Sequence, residues 1–301
     1  MLSALGTIDA LTLLSILVKT ASYAATLLAA GSVLVAHGLA RLSSRGRQAL
    51  VRTAILAAMA AALFSILRLP LRAGFLMGGT LDGAMDPMVL GMVAESPLGT
   101  SIAVRIVGLM LICAIVRPGR IGPRLASVGA VLACVSFALR GHAYGAPGAI
   151  AGVLVSVHLL GLAFWIGALG PLLLAARREP SDRAGALAEE FGTKAIWIVG
   201  ILVAAGTGTL ALLGAATPSA LATPYGQFFA IKLGLFAGIL SLAAVHKFRL
   251  TPALSSGSPG SGDRLRRSIL VETFLIALIL GMTATLTALS SPPGLGAPSA
   301  S

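Results

Sequence analysis

Charge is what this sequence has least of. Of its 301 residues only 11% are Asp, Glu, Lys or Arg, whereas a soluble globular domain carries about a quarter. It contains no glycine-rich Walker loop, no HExxH zinc helix and no pair of acids poised for hydrolysis. An ATP-driven pump therefore finds no support, and the expectation is that the chain is not an enzyme. Cysteine occurs twice, at Cys113 and Cys134, inside apolar runs and never as CxxC. Buried structural thiols are the favoured reading over metal ligands. The start of the chain lacks the basic region of a cleaved signal peptide, and its first apolar run is too long for one, so it reads as a retained helix.

Apolar sequence fills the space that charge leaves. The hydrophobic share is 57% and the mean hydropathy +0.96, which describes a polytopic membrane protein. Eight runs approach the roughly 20 residues a membrane span needs: 11–38, 50–70, 99–116, 123–140, 149–175, 194–215, 227–247 and 268–289. Their length and lack of period-2 alternation predict helices, hence an all-α membrane bundle in one domain. Spans 1–4 occupy 1–147, spans 5–8 occupy 148–293, and 294–301 form a short tail. The longer connections are 71–98, 176–193 and "TPALSSGSPGSGDRLRR" (251–267). The last two read as flexible or solvated linkers.

The net charge of +12 does not point to nucleic acid, because the basic residues come in short clusters between apolar runs. Connections after spans 1, 3, 5 and 7 hold sixteen Lys and Arg, among them Arg41, Arg117, Arg177 and Arg264; the other side has only Arg72 and Arg140. The positive-inside rule places the rich side in the cytoplasm and both termini outside.

Four further cations lie within or at the ends of spans: Lys19, Arg68, Arg105 and Lys232. Each costs about 2–3 kcal/mol in the bilayer unless it snorkels or is paired. Two readings stay open: snorkelling or structural pairing, or a polar cavity open to the outside and shaped by Lys19, Arg105, Lys232 and Trp165. Glu272, one helical turn into span 8, reads as a structural partner of Lys194, Lys247 or Arg249.

The histidines are His37, His142, His158 and His246. His37 and His246 end spans on the cytoplasmic side, where imidazole is cheap. His158 sits about 13 Å below the outer surface and needs a partner there, which makes it the strongest functional candidate. Trp165 lies two turns along the same face, with Gly161 leaving room between them; packing is its favoured role. Met85, Met88 and Met92 crowd the external segment "MGGTLDGAMDPMVLGM" (77–92) at a spacing that one helix would gather on one face. Thioether sulfur with imidazole suits Cu(I); adaptable apolar filling is the alternative.

The second half resembles the copper resistance protein D (CopD) family. The resemblance is carried by "HLLGLAFWIGALGPLLL" (158–174), "TPYGQFFAIKLGLFAGILSLAAVHKFRLTP" (223–252) and "LRRSILVETFLIALILGMTATLTALSSPP" (265–293), with the turn "GHA" at 141–143. The first half is similar more loosely, through the eight-span plan. Ala168 stands where the family usually has a second Gly, and His246-Lys247 where it has an Asn-Arg-like pair. The resemblance implies copper passage across a bacterial inner membrane, inward, with delivery from a separate periplasmic CopC-like carrier and a role in resistance or homeostasis. His142 and His158 become the expected ligands, and the external methionines the collectors. The intramembrane cations repel a copper ion, and would serve instead to hold carboxylates that otherwise trap it. The alternatives are a haem-binding membrane electron carrier using His37 and His246, or a regulatory subunit that does not transport.

Overall fold

The computed structural model describes residues 9–139, 148–212 and 224–289. Within them there are helices and turns and no strand. The long helices are α1 (Ala10–Gly38), α2 (Ser44–Leu76), α5 (Pro97–Ile112, continued by a 3₁₀ turn to Val116), α6 (Ile121–Val135), α7 (Gly148–Arg178), α8 (Ser181–Leu212), α9 (Pro224–Val245) and α11 (Ser261–Leu289). Short helices α3 (Leu81–Met85) and α4 (Pro87–Glu95) follow α2. A π-helical turn (His246–Leu250) joins α9 to the short α10 (Thr251–Ser255).

Seven of these helical segments are long and apolar enough to cross a membrane. The remaining apolar helix, α6, has 15 residues. At 1.5 Å per residue it is about 22 Å long, short of a hydrocarbon core of about 30 Å; a turn through 136–139 follows it. Large apolar side chains such as Leu56, Leu63, Trp197, Phe248 and Phe274 face outward, as the lipid-facing surface of a membrane bundle requires.

Local sequence explains where the helices start. Asp9, Ser43, Thr80, Asp86 and Ser96 each accept a backbone N–H of the first turn they precede, and Pro87 and Pro97 occupy first-turn positions where no N–H is needed. Hydrogen bonds from the Thr12 side chain and then its backbone N–H hold the Asp9 carboxyl below its usual range.

Helix α1 is the axis of the bundle, packed by α2, α5, α6, α7 and α11. Lipid tails supply no hydrophobic drive between helices, so close backbone approach must do it. The centre accordingly holds Ala29, Ala30, Ala54, Ala61, Ala130, Ala133, Ala163 and Ala168, all fully buried. Between α1 and α7 the approach is tightest: a Cβ on Gly31 would fall on the Ala163 carbonyl, and one on Gly167 on the backbone of Gly31.

The connections differ from expectation. Helix α2 runs through Pro70 to Leu76, so much of 71–98 is helical. The segment 176–193 is not a flexible linker, since α7 ends at Arg178 and α8 begins at Ser181. Ala184, Leu187, Ala188 and Phe191 are buried at the spacing of one helix face, which the interspersed charges obscured. In 251–267 only 256–260 lies outside a helix.

Two glutamates tie this end of the bundle together. Glu190 on α8 accepts the N–H groups of Ala40 and Arg41, each at 2.9 Å, and pairs with Lys194 at 2.8 Å. Lys194 also donates to the carbonyl of Gly38. Glu179 accepts from the hydroxyl of Ser43.

Candidate functional site

His158 points from α7 to α8. Its Nδ1 lies 3.1 Å from the carbonyl oxygen of Leu202, which supplies the partner that a half-buried imidazole in lipid requires. The space beside Gly161 is taken by Leu202 and Ile198. Lys232, half-buried on α9, brings its charge within electrostatic reach of the ring. His142 lies outside the described residues.

Two turns further along α7, Trp165 is 4% exposed and packs edge-on against Phe191 of α8 at 5.7 Å. Its role is more than packing. The indole Nε1 donates to Oε1 of Glu272 on α11. Glu272 is 1% exposed, and its Oε2 lies 3.4 Å from Nδ1 of His246. The other nitrogen of His246, Nε2, is 2.6 Å from the hydroxyl of Ser268, one turn before Glu272 on α11. Three helical elements thus converge on one buried carboxylate.

This corrects the expected pairing of Glu272 with Lys194, Lys247 or Arg249. Lys194 is engaged by Glu190 and Gly38, and Lys247 reaches the carbonyl of Gly192 at 3.4 Å. Glu272 stands eleven residues into α11, about 16 Å along the helix, and at that depth the indole and imidazole are its neighbours. The signal that was available in sequence was a polar residue inside each of three spans.

A separate polar cluster joins α1, α2, α5 and the turn after α6. Arg105 is completely buried. Its Nε donates to Ser136 Oγ at 3.0 Å and its Nη2 to Ser101 Oγ at 3.3 Å, with Ser22 Oγ 3.5 Å from Nη1. Its guanidinium carbon lies 3.9 Å from the centre of the Phe137 ring. Ser22 and Ser65 share a hydrogen bond of 3.0 Å. Arg68 lies over Tyr23, whose ring meets Phe137 edge-on. Lys19 and Arg68 are each 7% exposed. Serine hydroxyls and ring faces spread the Arg105 charge, as a cation held inside lipid requires. Of the four residues expected around one cavity, Arg105 belongs to this cluster, Trp165 to the carboxylate of α11 and Lys232 to the surroundings of His158, while Lys19 is buried on α1. Serine, common in the spans, gave no distinguishing signal in sequence.

Met85, Met88 and Met92 are 70%, 77% and 64% exposed. They do not share one helix. Asp86 ends α3 and caps α4, accepting the N–H groups of Met88 and Val89, with Pro87 opening the new helix. Met85 closes α3, and only Met88 and Met92 stand one turn apart on α4. The polar residue and proline between them break the helix that their spacing suggested.

His37 makes a 3.2 Å hydrogen bond with Ser127 of α6. The two histidines expected at the cytoplasmic side are thus engaged by different helices, His37 by α6 and His246 by α11. Cys134 is buried and Cys113 half-buried, and both are free thiols. No three His, Cys, Asp or Glu residues come together as a metal cluster among the described residues.

Two family models match the sequence. The one described as copper resistance protein D covers residues 185–286. The one described as the copper resistance protein D-like N-terminal domain covers residues 8–153. The chain is also 27% identical over 257 residues to the copper transport protein CutJ of Bacillus subtilis (strain 168), a match that takes in 81% of this chain and 46% of that protein. The chain therefore spans about half the length of this curated relative. No solved structure matches it.

Proposed function

Because the chain belongs to the copper resistance protein D family, we propose that it conducts copper inward across a bacterial inner membrane, in the service of copper resistance or homeostasis. The observation that carries this reading is the pair of family matches, which run through both halves of one helix bundle. A relative named as a copper transport protein supports it. The copper-transport name of that relative supports a transporter with copper as its cargo.

On this reading copper is delivered outside by a CopC-like carrier. Exposed thioethers of Met85, Met88 and Met92 collect it. His142 and His158 take it into the membrane. The Leu202 carbonyl beside Nδ1 of His158 suits a ligand role: a backbone acceptor on one ring nitrogen orients the imidazole and leaves the other to coordinate. Serine and aromatic contacts around Arg105 spread its charge, which eases the repulsion between an intramembrane cation and the cargo.

The test is copper uptake by vesicles reconstituted with the purified protein. Wild type accumulates copper above protein-free vesicles, His158→Ala abolishes the uptake and His142→Ala weakens it. Equal uptake with and without protein overturns the reading and leaves the non-transporting regulatory role. The rival haem carrier has no support from the engagement of His37 and His246 by different helices; a Soret band in the absorbance of the purified protein would restore it.

A further inference from the structure

Glu272 and His246 face each other through one oxygen and one nitrogen, Oε2 and Nδ1, 3.4 Å apart. Each is held from behind. Trp165 donates to the other carboxylate oxygen, and Ser268 engages the other ring nitrogen at 2.6 Å. Metal-binding histidines and carboxylates characteristically have such outer hydrogen bonds, which fix the ring and aim the lone pair.

The spacing suits an ion. Nitrogen and oxygen donors about 2.0 Å from a tetragonal Cu(II), meeting at a right angle, stand roughly 2.8 Å apart, so the pair at 3.4 Å closes by about half an ångström to hold an ion. The carboxylate is almost completely buried, and a cation beside it would offset the cost of holding its charge there. Lys194 is committed to Glu190 and Gly38, and Lys247 reaches toward Gly192. His246 also opens the π-helical turn (His246–Leu250), a distortion that recurs at functional sites.

We propose that Glu272 Oε2 and His246 Nδ1 form an inner binding site for Cu(II), a station inside the membrane separate from His158 and the external methionines. The proposal rests on the copper-transport reading above for its cargo. Imidazole and carboxylate are harder donors than thioether, which favours Cu(II) over Cu(I). Two protein donors leave the remaining positions to water or other exchangeable ligands. A site so sparsely built releases its ion, as conduction through successive sites demands.

The test uses the full chain with His158→Ala, so that the outer ligand does not contribute, titrated with Cu(II) and read by electron paramagnetic resonance. The expected signal has one imidazole nitrogen in the coordination sphere. Glu272→Gln keeps the size and an acceptor for Trp165 but removes the carboxylate charge; it weakens Cu(II) binding at least about tenfold. His246→Gln removes the nitrogen splitting. Ser268→Ala, which leaves both ligands in place, weakens binding about 10–100-fold, the range for outer-sphere partners. A merely structural pair would leave the copper spectrum unmoved. An unchanged spectrum and affinity in folded Glu272→Gln and His246→Gln proteins overturns the site, as does the absence of any such signal in the parent. Vesicle uptake by wild type is measured alongside. Uptake with an unmoved spectrum sinks the inner site alone, whereas loss of the signal in the variants without wild-type uptake retains the site and sinks the transport reading.

Discussion

The indole of Trp165 on α7 and the carboxylate of Glu272 on α11, 107 positions apart in sequence, share a hydrogen bond inside the bundle. Trp165→Phe preserves an aromatic ring against Phe191 but removes the donor. A buried charged group that loses a hydrogen bond costs about 1–3 kcal/mol, so the variant should lose thermal stability in detergent by that order. In a Glu272→Leu background the same substitution should cost much less. Equal costs in the two backgrounds would show that the ring, not the hydrogen bond, carries the effect.

The close approach of α1 and α7 predicts a contrast between two glycines. Gly31→Ala drives a methyl into the Ala163 carbonyl, whereas the Cβ of Gly170→Ala meets nothing within 4 Å. Overpacking of this kind costs about 1–3 kcal/mol. Gly31→Ala should unfold at a lower temperature than wild type and Gly170→Ala at the same temperature. Similar melting of the two variants would contradict the packing described.

Glu190 fastens the turn after α1 to α8. Glu190→Ala leaves the N–H groups of Ala40 and Arg41 without that carboxylate and Lys194 without its ion pair. The pair itself is partly exposed and worth little; the charge-assisted backbone bonds matter more. The expected result is faster proteolytic cleavage in the 39–43 connection, with the other connections cut at their wild-type rates. Cleavage at the wild-type rate in 39–43 would mean that the carboxylate does not secure the turn.

Much of the architecture was legible because the spans are written as long apolar runs, which is how a helix without exposed backbone must be written in lipid. Positions 176–193 were not. Their charges suggested a solvated linker, although Ala184, Leu187, Ala188 and Phe191 already had the period of a buried face. Of the candidate site, the need of His158 for a partner was readable from its depth, but the partner is a backbone carbonyl, which any residue at position 202 provides. Glu272 was visible as an acid in a span. Its neighbours were not, since the cations expected at the same membrane face attracted the assignment and an indole N–H looked like packing. The methionine spacing misled because Asp86 and Pro87, a helix start, were read through.

The exposed methionines make a prediction of their own. Replacing Met85, Met88 and Met92 together by Leu keeps their apolar bulk and removes the sulfur. Uptake at limiting copper should fall while thermal stability holds. Unchanged uptake would assign them to packing against the membrane surface.

Topology can be read by labelling single cysteines with an impermeant reagent in intact cells, after Cys113 and Cys134 are changed to Ser. Asp82→Cys in α3 should react. Gly257→Cys, in the turn between α10 and α11, should react only once the membrane is opened. The reverse pattern would invert the orientation drawn from the basic residues.

Helix α9 rests chiefly on α11, and only 6% of its most apolar stretch is buried, against 44% for α1. During synthesis α9 leaves the ribosome before the helix it packs on exists. Membrane helices insert first and associate afterwards, so α9 spends that interval surrounded by lipid, tethered to a bundle it has not joined. His246 travels with it, and its pairing with Glu272 waits until α11 has emerged. A chain terminated just before α11 would insert its earlier helices and yet never assemble this pair, which makes it one of the last features of the protein to mature.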